Sequence, residues 1–427
     1  MKWNARLRVP ATAAMAALLG VLVLALPQCR VNELGHGHAE RTGDLHLGPA
    51  PRAGQDARFR LACPAAPDPA GSPILRAPYV QDVGPSAAEI LWTSDALADP
   101  VVAVSAQGRP LFIARAADDL EAPLPRGRQY HAHLRGLAAA TTYCYEVLDG
   151  DRRLAGPFGF TTAPLPGSGA PIRLVALGDM GYRSTDQRAV LEQMSRVEFD
   201  LALLAGDIAY TEGSLAELEY NFLSVYAPLM RSAPFYPASG NHDYGTDDAA
   251  PFRQVFALPE NGGPAGRERW YSFDRGDLHV VVLDSEKLGP DQTEWLDRDL
   301  DRTSSPWVIA LFHRAPYSSG EHGPDLPTRA AFAPILARHR VTLVISGHEH
   351  DYERFRPRDG VTYVVSGGGG RGTRRIPGRA EGSVLALQVA HFLYIVVERD
   401  RLRLWAIDAS GQTFDTLELV RDGQRAG

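Results

Sequence analysis

Five short polar clusters lie between residues 178 and 350: Gly178-Asp179-Met180-Gly181, Gly206-Asp207-Ile208-Ala209-Tyr210, Gly240-Asn241-His242-Asp243, Leu311-Phe312-His313 and Gly347-His348-Glu349-His350. Carboxylate, imidazole, amide oxygen and phenolate are donors for borderline-hard di- or trivalent cations such as Fe, Zn and Mn, and no Cys-rich cluster is present to favour a thiolate site. A carboxylate has two oxygens and can bridge two ions. Ions about 3.5–4 Å apart can clamp both the attacking and the leaving oxygen of a phosphoryl group. Any one of these residues alone reads as a turn aspartate or a satisfied core histidine. The whole set, in this order, is what points to a two-metal site.

Elements that would bring the clusters together are legible around them. Four clusters follow or end apolar runs at residues 172–177, 201–205, 308–312 and 341–345, and Asn241 follows a shorter run at 235–238. Residues just past the carboxyl ends of strands in an open α/β sheet converge on one crevice, so distance in sequence is no obstacle. Helical stretches are expected at 186–197, 215–230, 291–301 and 328–339, followed by β-rich sequence at 361–366, 384–389, 393–397 and 402–408. The pattern predicts an α/β catalytic domain over residues 170–420, with mixed sheets layered against flanking helices. Ahead of it, residues 73–165 carry short strands at 88–93, 101–105, 129–134, 142–148 and 158–162, which predict an all-β sandwich with Trp92 in its core. The glycine run at 367–370 lacks the GxxxxGK[ST] pattern and reads as a tight turn beside the crevice rather than as a phosphate cradle.

The five clusters resemble those of the metallophosphoesterases, and within them the purple acid phosphatases, whose pattern is DxG, GDxxY, GNH followed by an acid, xxxH and GHxH. Tyr210, three residues after Asp207, matches that family's Fe(III)-binding tyrosinate, and His350-Asp351-Tyr352-Glu353-Arg354 resembles its HxYER tail. The resemblance spans residues 74–408. It implies a metallophosphoesterase-type α/β sandwich preceded by a fibronectin type III-like domain, for which Leu137 and Thr141-Thr142-Tyr143 look like a tyrosine corner. It also implies that Asp179, Tyr210 and His350 hold Fe(III), that Asp207 bridges, and that Asn241, His313 and His348 hold a second ion, Fe, Zn or Mn. A metal-activated hydroxide would then attack the phosphorus of a phosphate monoester.

The leaving group needs a proton. His242, beside Asn241, is the first candidate donor, with Asp243 fixing its tautomer; His322, in a loop that looks like a substrate-facing loop of the family, is the second. Arg314 stands where many relatives have a second histidine, and reads equally as a bidentate phosphate contact or a solvated surface group.

Composition bounds the remainder. The chain has 427 residues, 44% hydrophobic and 22% charged, with a net charge of −7, which suits a soluble protein of two to three domains. That charge gives no basic footprint for nucleic-acid backbones and favours small phosphorylated substrates. Lys2, Arg6 and Arg8 precede the apolar stretch 11–26, so residues 1–28 read as an export signal with no stable membrane span after its removal. Secretion or release to a periplasm is favoured over an uncleaved anchor or lipidation at Cys29. Residues 29–72 are rich in Pro, Ala, Gly and Arg and read as a flexible linker, in which His36, His38 and His46 are polar filler. Cys63 and Cys144 can form one disulfide in an exported protein or remain unpaired. Competing readings are a metal-dependent phosphodiesterase or nucleotide pyrophosphatase, and a non-catalytic extracellular binding protein.

Overall fold

The structure, a computed structural model, describes residues 38–40, 47–52, 54–64, 66–118 and 124–421. The expected export signal, Cys29, His36 and His46 lie outside the described residues. Strand β1 (His38–Glu40) comes first, followed by β2 (Ile74–Gln81), β3 (Ala87–Ser94), β4 (Pro100–Ala106), β5 (Arg109–Asp118), β6 (Arg128–Arg135), β7 (Thr142–Asp149) and β8 (Arg152–Thr161). Strands β2 to β8 form one antiparallel sheet in the order β2-β3-β6-β5-β4-β7-β8. Strand β5 pairs with β6 through residues 116–118 and with β4 through residues 109–115, so the sheet folds over along it. Its inner side chains, among them Val80, Ile90, Trp92, Val104, Tyr130, Leu134, Tyr145 and Phe160, make a separate core. The Tyr143 hydroxyl accepts the Ala138 N–H at 2.8 Å, tying the turn before β7 to the strand.

The remaining strands are β9 (Ile172–Leu177), β10 (Leu201–Ala205), β11 (Phe235–Ala238), β12 (Tyr271–Arg275), β13 (Leu278–Val282), β14 (Trp307–Leu311), β15 (Leu343–Ser346), β16 (Tyr352–Phe355), β17 (Thr362–Ser366), β18 (Ser383–Leu387), β19 (His391–Val397), β20 (Arg401–Asp408) and β21 (Thr413–Arg421). They make two sheets, ordered β1-β21-β20-β19-β9-β10-β11 and β12-β13-β14-β15-β17-β16-β18. Strands β9, β10 and β11 run parallel in the first, and β13, β14, β15 and β17 run parallel in the second. Strand alternation divides the second sheet cleanly. Ile309, Leu311, Leu343 and Ile345 pack with Leu174, Ala176 and Leu203 of the first sheet in one core. Val308, Ala310, Phe312 and Val344 pack on the other face with Trp295, Leu296, Phe332 and Leu336. Those last four come from the helices Pro290–Arg302 and Leu326–Arg338. Strands buried on both faces have no polar side to show, which is why they appear in the sequence as unbroken apolar runs.

Two departures from expectation are informative. Residues 54–64, read as part of a flexible linker, carry the helix Gln55–Phe59 and are anchored at several points. The Gln55 amide exchanges hydrogen bonds with the backbone of Phe199, at 2.9 Å each way, and Arg58 pairs with Asp200 at 2.6 Å. Cys63 is disulfide-bonded to Cys144 on β7. Proline and alanine content gave no hint of this because the anchoring partners are about 80 to 145 residues away. The sequence pattern also missed β2, β5 and the β12–β13 hairpin; β5 alternates only between exposed and half-buried positions, so it lacks an apolar face to announce it.

The folded-over N-terminal sheet is tied to the layers by specific polar contacts. Arg76 pairs with Glu219, the Tyr79 hydroxyl donates to the Val255 carbonyl at 2.7 Å, and Tyr236 accepts the Val83 N–H at 3.1 Å. His279 on β13 lies between Asp274 Oδ1 at 2.8 Å and Asp299 Oδ2 at 3.0 Å. Burial alone would lower its pKa, but the two carboxylates outweigh burial and raise it to about 9. A raised histidine pKa stabilises the fold fully below the unfolded value of about 6.5, and that stabilisation is lost as pH climbs through about 9. His279→Gln is therefore expected to cost on the order of 2 kcal/mol at pH 6, with the deficit in Tm vanishing by about pH 9.5. A deficit constant across that range would mean that the imidazole charge is irrelevant.

Candidate metal centre

The same local geometry delivers three of the site residues. Asp179, Asp207 and His348 each follow a glycine at a strand's end, and each has positive φ, at 60°, 53° and 71°. Such backbone is uncommon outside glycine and is best tolerated by short polar side chains such as Asp. It turns the chain sharply off the strand, and the Asp179, Asp207 and His348 side chains reach the cluster from these turns. The glycines themselves are sterically required: a Cβ on Gly206 would stand 2.5 Å from His313 Nδ1, and one on Gly347 would stand 2.6 Å from Asp179 Oδ2.

The first sheet supplies Asp179 after β9, Asp207 and Tyr210 after β10 and Asn241 after β11; the second supplies His313 after β14 and His348 and His350 after β15. All seven side chains meet where the carboxyl ends of the two sheets adjoin. They form two groups. In one, the Tyr210 hydroxyl lies 3.0 Å from Asp179 Oδ1 and 3.4 Å from His350 Nε2, and His350 Nε2 is 3.4 Å from Asp179 Oδ1. In the other, His313 Nε2 lies 3.2 Å from Asn241 Oδ1 and 3.2 Å from His348 Nδ1. Asp207 stands between them, with Oδ2 2.9 Å from the Tyr210 hydroxyl and Oδ1 3.4 Å from His313 Nε2. His313 is oriented by its other nitrogen, Nδ1, which lies 2.8 Å from the Ala205 carbonyl and so presents Nε2 to the centre.

Electrostatics show what this arrangement lacks. Asp179 and Asp207 are almost completely buried. Burial opposes charge on Asp207, but the His313 and His242 imidazoles overcome it and hold its carboxyl well below the ordinary range. His313 answers in kind: burial lowers its pKa, and Asp207 raises it, to a net value of about 10. Burial and that charged neighbour then push His348 down to about 2. Burial first, and then Asp179 and Asp207, keep the Tyr210 hydroxyl far above the usual tyrosine range. Positive charge is thus demanded in the middle of the cluster, and the neighbouring imidazoles supply part of it. The donor set fits metal cations: buried carboxylates, an amide oxygen, imidazoles with a free nitrogen facing inward, and a phenol that ionises only beside a strong positive charge.

The candidate proton donors flank this cluster on opposite sides. The His242 ring is 4.4 Å from the Tyr210 ring; its Nδ1 lies 2.6 Å from the Thr211 carbonyl and its Nε2 3.9 Å from Asp207 Oδ2. His322 stacks on His348 at 4.5 Å, with Arg374 3.1 Å and Glu349 Oε2 3.3 Å from its Nδ1. Burial, followed by the Arg374 charge, lowers the His322 pKa. Both rings retain exposure, at 30% and 43% of the side chain, which a substrate-facing group requires.

Asp243, expected to fix the His242 tautomer, is engaged by backbone groups. Its fully buried carboxylate accepts backbone N–H bonds from Ile208 at 3.0 Å and Gly240 at 2.8 Å, splicing the loop that carries Asp207 to the loop that carries Asn241. The carbonyl of Thr211 takes the place expected for it beside His242 Nδ1. Arg314 is likewise committed elsewhere, forked onto both oxygens of Glu286 at 2.8 Å each.

Several contributing residues had no signal of their own in the sequence. Glu349 accepts the His322 N–H at 2.9 Å, and Glu353 accepts the Ser318 hydroxyl at 2.6 Å and the Ser319 N–H. Together they hold the 318–322 loop against the centre; both sit in the quoted GHEH and YER clusters. Arg374 donates to the His348 carbonyl at 3.0 Å, and the Arg371 guanidinium lies 5.1 Å over the Tyr210 ring. These arginines follow the 367–370 glycine turn, which does pack beside the crevice: a Cβ on Gly367 would stand 2.7 Å from Asp179 Oδ2.

Two sheets that pool donors from the carboxyl ends of their parallel strands define the metallophosphoesterase class, and residues 172–352 match the calcineurin-like phosphoesterase family. The chain is a relative of the purple acid phosphatases. It is 30% identical over 266 residues to purple acid phosphatase 21 of Arabidopsis thaliana, covering 57% of this chain and 59% of that protein. It is 31% identical over 245 residues to purple acid phosphatase 22 of the same plant, covering 54% of each. The chain therefore spans less than two thirds of the length of these curated relatives. In fold, it superposes on the purple acid phosphatase PPD1 from yellow lupin (Lupinus luteus) seeds with a TM-score of 0.71 at 21% identity, covering 81% of this chain and 74% of that one.

The Asp243 contacts yield a test. Asp243→Ala leaves buried N–H groups of Ile208 and Gly240 unpaired, at roughly 1–3 kcal/mol each, so Tm should fall and metal content with it. Both Asp243 oxygens accept backbone N–H groups, so Asp243→Asn, which keeps one acceptor oxygen of the two, should do less harm than Asp243→Ala. Loss of turnover with unchanged Tm and metal content in Asp243→Ala would return Asp243 to an orienting role beside His242.

Proposed function

We propose that the chain is an exported phosphatase that hydrolyses phosphate monoesters with two metal ions, Fe(III) held by Asp179, Tyr210 and His350, and Fe, Zn or Mn held by Asn241, His313 and His348. The observation that carries this is the position of Asp207, with one carboxylate oxygen toward each donor group. Such a pair of ions supplies the charge that neutralises a phosphoryl group and generates a nucleophile near neutral or mildly acid pH. The Cys63–Cys144 disulfide supports an oxidising compartment and hence export from residues 1–28. The Tyr143 hydroxyl bond to Ala138 supports a fibronectin type III-like reading of residues 73–165, ahead of a catalytic domain over 170–420.

The chain's own groups handle the proton. Because His242 Nδ1 faces a carbonyl, that nitrogen carries a hydrogen in either charge state, and Nε2 is left to gain and deliver the mobile proton. Burial and the Arg374 charge lower the His322 pKa, which favours a role in positioning a phosphoryl oxygen over one in protonating the leaving group. His242→Ala is expected to keep both metals and to lose about 10²–10⁴-fold in turnover of alkyl phosphates, whose alkoxides leave poorly unprotonated. The loss should be much smaller for nitrophenyl phosphate. Equal losses on both substrates would remove His242 as the acid, and a strong preference for bis-aryl over aryl phosphate would replace the monoesterase with a diesterase.

The iron assignment has its own check. Protein purified from an iron-sufficient host should absorb visible light through the Tyr210 phenolate, and Tyr210→Phe should abolish that band. A colourless active enzyme with two Zn or two Mn ions would overturn the iron and spare the hydrolase.

A further inference from the structure

A second cluster of potential ligands lies on the N-terminal sheet, away from the phosphoesterase centre. Strands β3 and β6 are antiparallel, with Glu89 opposite His133 and Leu91 opposite His131. Residues two apart on a strand share a face, so His131 and His133 stand side by side with their rings 4.3 Å apart, and Glu89 reaches them from the neighbouring strand. This face is opposite to the one that buries Ile90, Trp92 and Ala132 in the sheet's own core. It lines a cleft of about 1060 Å³ whose other wall is formed by residues of the 250–269 segment, including Arg253, Phe256 and Arg269. Asp82 lines the same cleft.

Three donor atoms converge there. Glu89 Oε2 lies 2.7 Å from His131 Nε2 and 2.6 Å from His133 Nδ1. These are hydrogen-bond distances, yet the buried Glu89 Oε2 and His131 Nε2 have no hydrogen-bond partner, so the groups approach one another without donor and acceptor being aligned. Buried polar atoms left in that condition cost free energy and call for a partner. A cation placed among the three would supply it to all of them at once.

We propose that Glu89, His131 and His133 form a metal site of their own, separate from the dinuclear centre, for a late first-row divalent ion of the Zn²⁺ type. Two imidazoles and a carboxylate, without sulfur, suit Zn²⁺ and its neighbours Cu²⁺ and Ni²⁺ better than the hard ions Mg²⁺ and Ca²⁺. Tetrahedral Zn²⁺ with bonds of about 2.0–2.1 Å separates its ligand atoms by roughly 3.3 Å. That is about 0.6 Å more than the 2.7 Å between Glu89 Oε2 and His131 Nε2, an opening the Glu89 side chain would make by rotation as the ion binds. Side-chain exposures of 18%, 25% and 50% for Glu89, His131 and His133 give the ion a route in from the cleft. Three protein donors leave one tetrahedral position directed at that cleft.

The site depends on nothing in the phosphoesterase reading, and its test is arranged to keep the two apart. The full chain and the variants His131→Ala/His133→Ala and Glu89→Gln are equilibrated by dialysis against graded Zn²⁺ at pH 7.5, then assayed for metal per chain and for nitrophenyl phosphate turnover. The natural chain should take up about one Zn²⁺ more than the double variant, with equal turnover, and Glu89→Gln should weaken that additional ion by at least roughly tenfold. The additional ion should also raise the Tm of the natural chain and leave that of the double variant unchanged. Equal zinc content in the natural chain and the double variant overturns the site. So does an additional ion that Glu89→Gln retains at full affinity, because the conservative variant leaves the sheet intact.

Discussion

Two carboxylates buried where the sheet ends adjoin, Asp179 and Asp207, are the constraint on which the rest of this protein hangs. Taking an ionised carboxylate out of water is costly unless it meets positive charge and hydrogen-bond donors. The fold provides part of that compensation from the backbone: the His348 N–H donates to Asp179 at 2.9 Å and the His242 N–H to Asp207 at 2.9 Å. The remainder must be cationic, and within the chain a large part of it comes from the His313 imidazole, whose pKa is driven up for that reason. A centre that pulls a buried histidine up to about 10, holds its neighbour down at about 2 and keeps a tyrosine hydroxyl between two carboxylates is built around charges that the chain only partly supplies.

That constraint explains the scaffold. Donors could have been mounted on one sheet, but six of them around the Asp207 carboxylate need approach from two sides. Two mixed sheets packed face to face bring the carboxyl ends of their parallel strands to one place. Glycines at the strand ends allow the turns and the close approach. Beneath the ligands lies a further layer of carboxylates whose partners are mostly backbone: Asp243 for the 208 and 240 loops, Glu349 and Glu353 for the 318–322 loop. These groups do not face the cluster centre, yet they set where the ligands stand.

The sequence was most informative where physical demand acts locally. A strand buried on both faces must be apolar throughout, so β9, β10 and β11 could be read off to the residue, and β14, β15 and β17 to within two residues at either end. A ligand must be a residue type with the right donor, and a turn off a strand favours glycine before it, so the five clusters stood out. It misled where the demand comes from remote partners. Asp243 was read as a companion of its neighbour His242, whereas its oxygens serve Ile208 and Gly240; Arg314 read equally as a phosphate contact or a solvated surface group, whereas it pairs with Glu286; residues 54–64 looked unstructured, whereas Phe199, Asp200 and Cys144 fasten them.

Adjacency in the chain says little about where a side chain points, since the direction is settled by whichever distant group satisfies it. Residue type, order and local periodicity by themselves therefore pointed to the class of chemistry and the strands that lead to it, and the resemblance of the five clusters singled out the seven candidate donors. Only the tertiary structure decided that the donors divide into two groups on either side of Asp207, which carboxylates are scaffold, and that Glu89, His131 and His133 share one point on a different face. The physical reason is the same in each case. Donor identity and burial are properties of single residues and short runs, whereas convergence and charge compensation are properties of pairs that only folding brings within 3 to 4 Å.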